Sequence, residues 1–152
     1  MSEITTEWRC LDELTVAELY ELLRFRQSIF VVEQRSPYPD LDGLDQAAWH
    51  LLLQAEGSLV GYLRLIPVSG PPSLVITGRV AVSRSLRGRG LGRRLVEEAL
   101  VFCRDRFAPQ QIALGAQLQL VPFYESFGFV LISEPYEDFG VAHVKMELRL
   151  HS

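Results

Sequence analysis

The stretch from Leu74 to Phe107 limits what this chain can become more than any other. Leu74-Val75-Ile76-Thr77-Gly78-Arg79-Val80-Ala81-Val82 is an apolar, β-branched run that reads as a buried or half-buried strand. Leu91, Leu95, Val96, Ala99, Phe102, Cys103 and Phe107 then recur at helical period. Between them lies Ser83-Arg84-Ser85-Leu86-Arg87-Gly88-Arg89-Gly90, with Gly92 just beyond. A strand that passes through a flexible turn into a helix presents the unpaired N–H groups of the helix start to an anion.

Without a Cβ, the backbone at Gly88, Gly90 and Gly92 can turn tightly and approach a ligand closely. Successive amides in such a turn wrap phosphate oxygens, and the helix dipole adds positive potential. Arg87, Arg89, Arg93 and Arg94 bring further charge, so the turn reads as a site for a phosphate-bearing ligand rather than a bare connection. Two familiar loops are excluded. A nucleoside-triphosphate loop needs a Gly-Lys-Ser/Thr ending, and the only lysine is Lys145. The dinucleotide fingerprint starting at Gly88 and Gly90 requires a third glycine where Arg93 stands.

Charge distribution narrows the partners. Residues 79 to 94 hold six arginines and no acidic residue, so in a chain of net charge −4 the remainder sums to −10. A focused basic patch in an acidic protein suits a compact anion and not extended nucleic acid. The 152 residues, 48% hydrophobic, suffice for one domain (1–152) with a core and argue against disorder. No apolar segment approaches membrane-spanning length, and Met1 through Arg9 lacks the blocks of a secretion signal, so a cytoplasmic location is expected. Cys10 and Cys103 make neither a disulfide framework nor a metal-ligand cluster, and no metal is expected.

In chain order, Trp8, Cys10 and Leu11 suggest a short strand. Thr15 and Glu18 form a capping box for a helix whose apolar face includes Leu19, Leu22, Leu23, Ile29 and Phe30, with Arg26 among them. Glu33 to Asp45 is a loop; its Asp40-Leu41-Asp42-Gly43-Leu44-Asp45 superficially resembles a calcium loop but lacks the closing glutamate. Residues 47–56 and 59–68 read as a hairpin around Glu56-Gly57-Ser58. Beyond the long helix come a strand at 112–116, a short helix at 121–127, a strand from 129 to 133, a turn at 134–140 and a last strand at 142–150. Apolar runs on the central strands predict a sheet covered on both faces, an α/β architecture.

Arg87-x-x-Gly90-x-Gly92 after Val80-Ala81-Val82 resembles the coenzyme A pyrophosphate loop of the GNAT superfamily of N-acetyltransferases. The wider chain is similar to the ElaA-like family within it. Phe30-Val31-Val32-Glu33-Gln34, Pro37-Tyr38, Asp42-Gly43, Gly78-Arg79-Val80, Leu114-Gly115-Ala116-Gln117, Phe123-Tyr124-Glu125-Ser126-Phe127-Gly128-Phe129 and His143 follow that family's pattern in order. The resemblance implies a single-domain acyl-CoA N-acyltransferase fold: a mixed central sheet, a splayed parallel strand pair and helices on both faces.

It also implies direct transfer of an acetyl group from acetyl-CoA, as cosubstrate, to an amine in a ternary complex. The amine is a small molecule or belongs to a peptide. Coenzyme contacts fall on Val80, Ala81 and Val82, on Arg87, Gly88, Arg89, Gly90, Leu91, Gly92, Arg93 and Arg94, and on Gln117 and Tyr124. Tyr124 matches the position of the proton donor to the leaving thiolate. The acceptor cleft draws on Glu33, Gln34, Tyr38, Asp42, Asp45, His50, Arg79 and His143. Glu33, His50 and His143 are the candidates for the base, and Arg79 for orienting a substrate carboxylate or pairing with Glu33. A coenzyme-binding or regulatory module without catalysis is the alternative. A monomer or a homodimer, acting on neither nucleic acid nor membrane, is expected.

Overall fold

Glu56 and Gly57 both take positive φ (52° and 77°), which gives a two-residue turn whose twist matches the strands it joins. It closes the expected hairpin of β2 (Trp49–Ala55) and β3 (Ser58–Val68). In the computed structural model, which describes residues 3–150, β1 (Ile4–Cys10) lies antiparallel to β2. The first two and last two residues of the expected 1–152 domain lie outside the described residues. β4 (Leu74–Val82) follows β3 antiparallel, and β5 (Gln111–Gln117) lies parallel to β4. The outer strands are β6 (Val130–Leu131), β7 (Tyr136–Asp138) and β8 (Val141–Arg149). One mixed sheet results, ordered β1-β2-β3-β4-β5-β8, with β6 and β7 both on the far edge of β8. Most of the expected turn at 134–140 is therefore a hairpin, closed by Phe139 and Gly140 at positive φ (48° and 83°).

Helix α1 (Val16–Gln27) begins with the expected capping box: the Glu18 amide donates to Thr15 Oγ1, and the Thr15 amide to the Glu18 carboxylate. It runs on into a π-helical turn at Ser28–Glu33. Helix α2 (Leu91–Arg106) carries the periodic residues read from sequence, and Leu95, Val96, Ala99, Leu100 and Cys103 are buried. These pack on Leu51, Leu53, Leu63, Leu65, Ile112 and Met146. On the opposite face Leu22 of α1 meets Leu52 and Tyr62. The two faces explain why β2 and β3 read as continuous apolar runs rather than alternating ones. Helix α3 (Val121–Glu125) is a single short turn after β5.

Two irregularities open the sheet at its centre. β4 and β5 are paired only at Leu74–Gln111, Val75–Ile112 and Ile76–Ala113, and beyond Ile76 the parallel strands part. On its other edge β4 carries a bulge against β3: Tyr62 faces Ala81 and Arg64 faces Gly78, so Arg79 and Val80 together oppose Leu63. Arg79 absorbs the extra residue with φ at 55°. A bulge bends its strand and leaves a residue outside the ladder. Here it bends β4 beside the gap.

Candidate active site

The parting of β4 from β5 creates a cleft of about 250 Å³ through the sheet. Ile66 and Ile76 line it from one face, Thr77 and Tyr124 from the side of α2, and Gly115, Ala116 and Gln117 from β5. The Glu33–Asp45 loop and the β7–β8 hairpin roof one end: Ser36 Oγ donates to the Phe139 carbonyl at 3.0 Å, and Tyr38 meets the Phe139 ring edge-on at 5.7 Å. Thr77 Oγ1, buried just past the last β4–β5 pair, has no hydrogen-bond partner among the described residues.

At the start of α2 the first intrahelical bond runs from the Arg94 amide to the Gly90 carbonyl at 3.0 Å. The amides of Leu91, Gly92 and Arg93 therefore precede any helical acceptor. Gly88 and Gly90 hold φ of 81° and 77°, and a Cβ built on either would meet nothing within 4 Å. This is an open backbone cradle of the kind a pyrophosphate fills. The arginine side chains spread away from one another. Arg87 grips Glu33 through both terminal nitrogens (2.6 and 2.9 Å) and donates to the Val82 carbonyl. Arg93 lies over the Phe127 ring and bonds Ser126 Oγ at 2.8 Å. Arg94 reaches back to the Ile4 carbonyl, pinning β1. Arg89 makes no ion pair among the described residues. Ala81 and Val82 lie outside the cleft wall, which Val80 joins.

Tyr124 stands where α3 meets the cleft, its ring edge-on to Phe123 and Phe129. Burial pushes its hydroxyl up to about 12, so it keeps its proton at neutral pH. His143, opposite Gln117 in the β5–β8 register, donates from Nδ1 to the Val141 carbonyl at 2.9 Å and stacks on Tyr136. That bond leaves Nε2 of the neutral ring with its lone pair. Gln34 and Tyr38 also line the cleft.

Of the remaining expected acceptor groups Arg79 lines the cleft, while Glu33, Asp42, Asp45 and His50 are not among its lining residues. Arg26, fully buried, bonds Asp40 Oδ2 at 3.0 Å and Asp45 Oδ1 at 2.7 Å. Arg64 holds Asp42 through two nitrogens (3.0 and 2.7 Å) and Asp45 at 3.1 Å. Arg79 bonds Asp42 at 3.1 Å and the Tyr38 hydroxyl; its Nε sits 2.9 Å from Asp40 Oδ1 off the hydrogen-bonding direction, an ion contact. Burial pushes the Asp42 carboxyl up, but Arg64, the Leu44 amide and Arg79 together hold it at about 2. The sequence that resembled a calcium loop is thus an arginine clasp, and among the described residues no group of three or more His, Cys, Asp or Glu is placed to hold a metal. His50 is buried in the same clasp, away from the cleft. Its Nε2 donates to the Asp45 carbonyl at 3.0 Å, so Nδ1 accepts from the Tyr62 hydroxyl. Burial, the largest influence, lowers its basicity. Glu33 does not line the cleft either, and Arg87 pulls its carboxyl below the ordinary range. Neither is brought beside Tyr124.

The sequence model of the acetyltransferase (GNAT) domain matches residues 26–150. The chain belongs to the GNAT family. Its resemblance to the ElaA-like branch of GNAT proteins is equally direct: Protein ElaA of Escherichia coli is 40% identical over 144 residues, which cover 92% of this chain and 94% of ElaA. The crystal structure of E. coli ElaA matches with a TM-score of 0.89, covering 95% of this chain and 99% of that one, at 38% identity. An acyl-CoA N-acyltransferase from Pseudomonas aeruginosa matches with the same TM-score and coverage at 37%. The mixed sheet, the splayed pair and the flanking helices are those of the GNAT fold.

Residues that sequence reading passed over also line the cleft: Thr77, Tyr136 and Asp138. Tyr136 and Asp138 were hidden in a segment whose Pro135 and Gly140 signal a turn. A phenylalanine at positive φ gives no hairpin signal of the Asn-Gly kind. Alternation of Tyr136 and Asp138 about Glu137 was the one available clue.

Proposed function

We propose that the protein transfers the acetyl group of acetyl-CoA directly to a primary amine within one ternary complex. The observation that carries this reading is the gap between β4 and β5, with the open cradle of α2 beside it and Tyr124 and His143 on its walls. Membership of the GNAT family and likeness to an acyl-CoA N-acyltransferase support it. Acetyl-CoA supplies an activated acetyl thioester. The amides from Gly88 to Arg93 would hold its pyrophosphate, with Arg89 free to help and Arg87 able to do so on leaving Glu33. A backbone group released by the bulge at Arg79–Val80 is the candidate donor to the thioester oxygen, where negative charge develops. His143 Nε2 is the base that takes the ammonium proton, directly or through water; Tyr124 gives its proton to the departing sulfur, and the second proton that the nitrogen sheds as the amide forms restores the tyrosine. Neither cysteine serves as a nucleophile: Cys103 is buried on the sheet-facing side of α2, with its thiol pushed up to about 12 by burial, and burial also raises the thiol of Cys10 at the end of β1.

Calorimetry with acetyl-CoA, using dephospho-coenzyme A and ATP as comparisons, tests the donor site. Selective binding of acetyl-CoA is expected, followed by thiol release on addition of a primary amine. A folded protein that binds none of the three would reduce the Arg87–Arg94 segment to a structural turn.

A further inference from the structure

Among the described residues, three charged ones line the cleft: Arg64, Arg79 and Asp138. The two arginines carry no charge that a ligand could use. Arg26, Arg64 and Arg79 face Asp40, Asp42 and Asp45, three against three, with every one of these groups in an ion pair. Drawing Arg64 or Arg79 towards a ligand would take one of the two arginines that pair buried Asp45 or buried Asp40, which is costly. Asp138, half-buried near the tip of the β7–β8 hairpin, has no ion pair among the described residues. The hairpin tip is itself fixed, by the Ser36–Phe139 bond and the Tyr38–Phe139 contact, so the carboxylate is held at the roofed end. Phe30, Tyr38 and Tyr136 surround that end with aromatic surface.

We infer that Asp138 is the residue that selects the acceptor, and that the acceptor is a primary alkyl- or arylalkylammonium bearing no carboxylate next to its nitrogen. The inference rests on the transferase reading for the fate of the amine, but not for its binding. An ammonium donates a charge-assisted hydrogen bond to the Asp138 carboxylate while its apolar flank lies against the aromatic wall. An α-amino acid brings a second carboxylate to Asp138, where it is repelled, and the arginines are already committed. Arg79 accordingly serves to hold Tyr38 and the loop in place rather than to bind a substrate carboxylate.

Phenethylamine and phenylalanine differ only in that carboxylate. Their equilibrium binding to the full chain is measured by calorimetry, with and without coenzyme A, for the wild type and for Asp138→Asn. The substitution keeps size and removes no side-chain hydrogen bond or ion pair among the described residues, so an unchanged fold is expected, checked by circular dichroism. Phenethylamine is expected to bind at least about tenfold more tightly than phenylalanine, and Asp138→Asn to remove about tenfold of that affinity while leaving phenylalanine within about twofold. Equal affinities in the wild type, or an amine affinity indifferent to Asp138→Asn, overturns the assignment. Thiol release from acetyl-CoA in the same samples reads the chemistry separately. Asp138-dependent binding without thiol release upholds the acceptor site and removes the transfer reaction.

Discussion

Two side chains carry the proposed chemistry, and each can be tested by the least intrusive substitution. Tyr124→Phe removes one oxygen from a ring held by Phe123 and Phe129, so the packing survives. It is expected to lower kcat by about 10²-fold or more while acetyl-CoA affinity stays within about twofold, read by thiol release and calorimetry. Unchanged turnover would end its role as proton donor. His143→Gln should lower kcat by a similar factor, about 10²-fold, without weakening the coenzyme. The two residues differ in how visible they were. A tyrosine among phenylalanines is ordinary core by composition, and only the family pattern singled out Tyr124. The two candidate histidines were not ranked by residue type; the hydrogen bonds did that, closing both nitrogens of His50 and leaving Nε2 of His143 available.

At the scale of elements, the Glu33–Arg87 pair ties the end of the α1 π-turn to the glycine loop ahead of α2. Arg87 is about 39% exposed in this pair, so the tie is weak. If Arg87 serves the coenzyme pyrophosphate as proposed, Glu33 would compete for its guanidinium, and Glu33→Gln should tighten acetyl-CoA binding by up to about fivefold and leave kcat within about threefold. A kcat collapse would return Glu33 to the role of base. Gly90 tests the other side of the loop. Its φ of 77° is unfavourable for a side chain, and the space where a Cβ would stand is the space offered to the ligand. Gly90→Ala is expected to lower stability by about 1 kcal/mol in thermal unfolding and to weaken coenzyme binding. The strand–turn–helix around this loop was fully legible, since it is local. The β7 strand was not, because its pairing depends on the fit of Phe139 under Tyr38 and Ser36.

Across the whole molecule, the arginine clasp joins α1, the acceptor loop, β3 and the β4 bulge, so it fixes one wall of the cleft and the stability together. Arg26→Met leaves buried Asp40 with only its Arg79 contact and buried Asp45 with only Arg64, and should cost about 3–5 kcal/mol by denaturant unfolding. The pH dependence follows from the direction of each shift. His50, held below its ordinary 6.5, charges first in the unfolded chain, so stability declines as the pH falls from about 6.5. Asp42, at about 2, and Asp45, also lowered, contribute stability that is present above about pH 4 and is lost as the pH falls through their folded values. Tm should therefore decline gently below neutrality and steeply below about pH 4, with the steep part reduced in Asp42→Asn. Among the described residues no helix is long and apolar enough to cross a membrane.

The sequence by itself determined the local pieces. Period, capping and turn chemistry depend on residues a few positions apart, so the Thr15 cap, the Glu56-Gly57 hairpin, the central strand, the glycine loop and the α2 face could all be read from neighbours. The family pattern added Tyr124 and His143 by position. Tertiary structure alone decided which charges face a ligand. Arg26, Arg64 and Arg79 are separated along the chain from one another, and their cancellation by Asp40, Asp42 and Asp45 exists only where α1, β3 and the β4 bulge converge. Long-range electrostatics has no period in sequence. For that reason Arg79 read as a partner for a substrate carboxylate or for Glu33, while in the fold it pairs with Asp40 and Asp42, and Asp138 lines the cleft with no ion pair among the described residues.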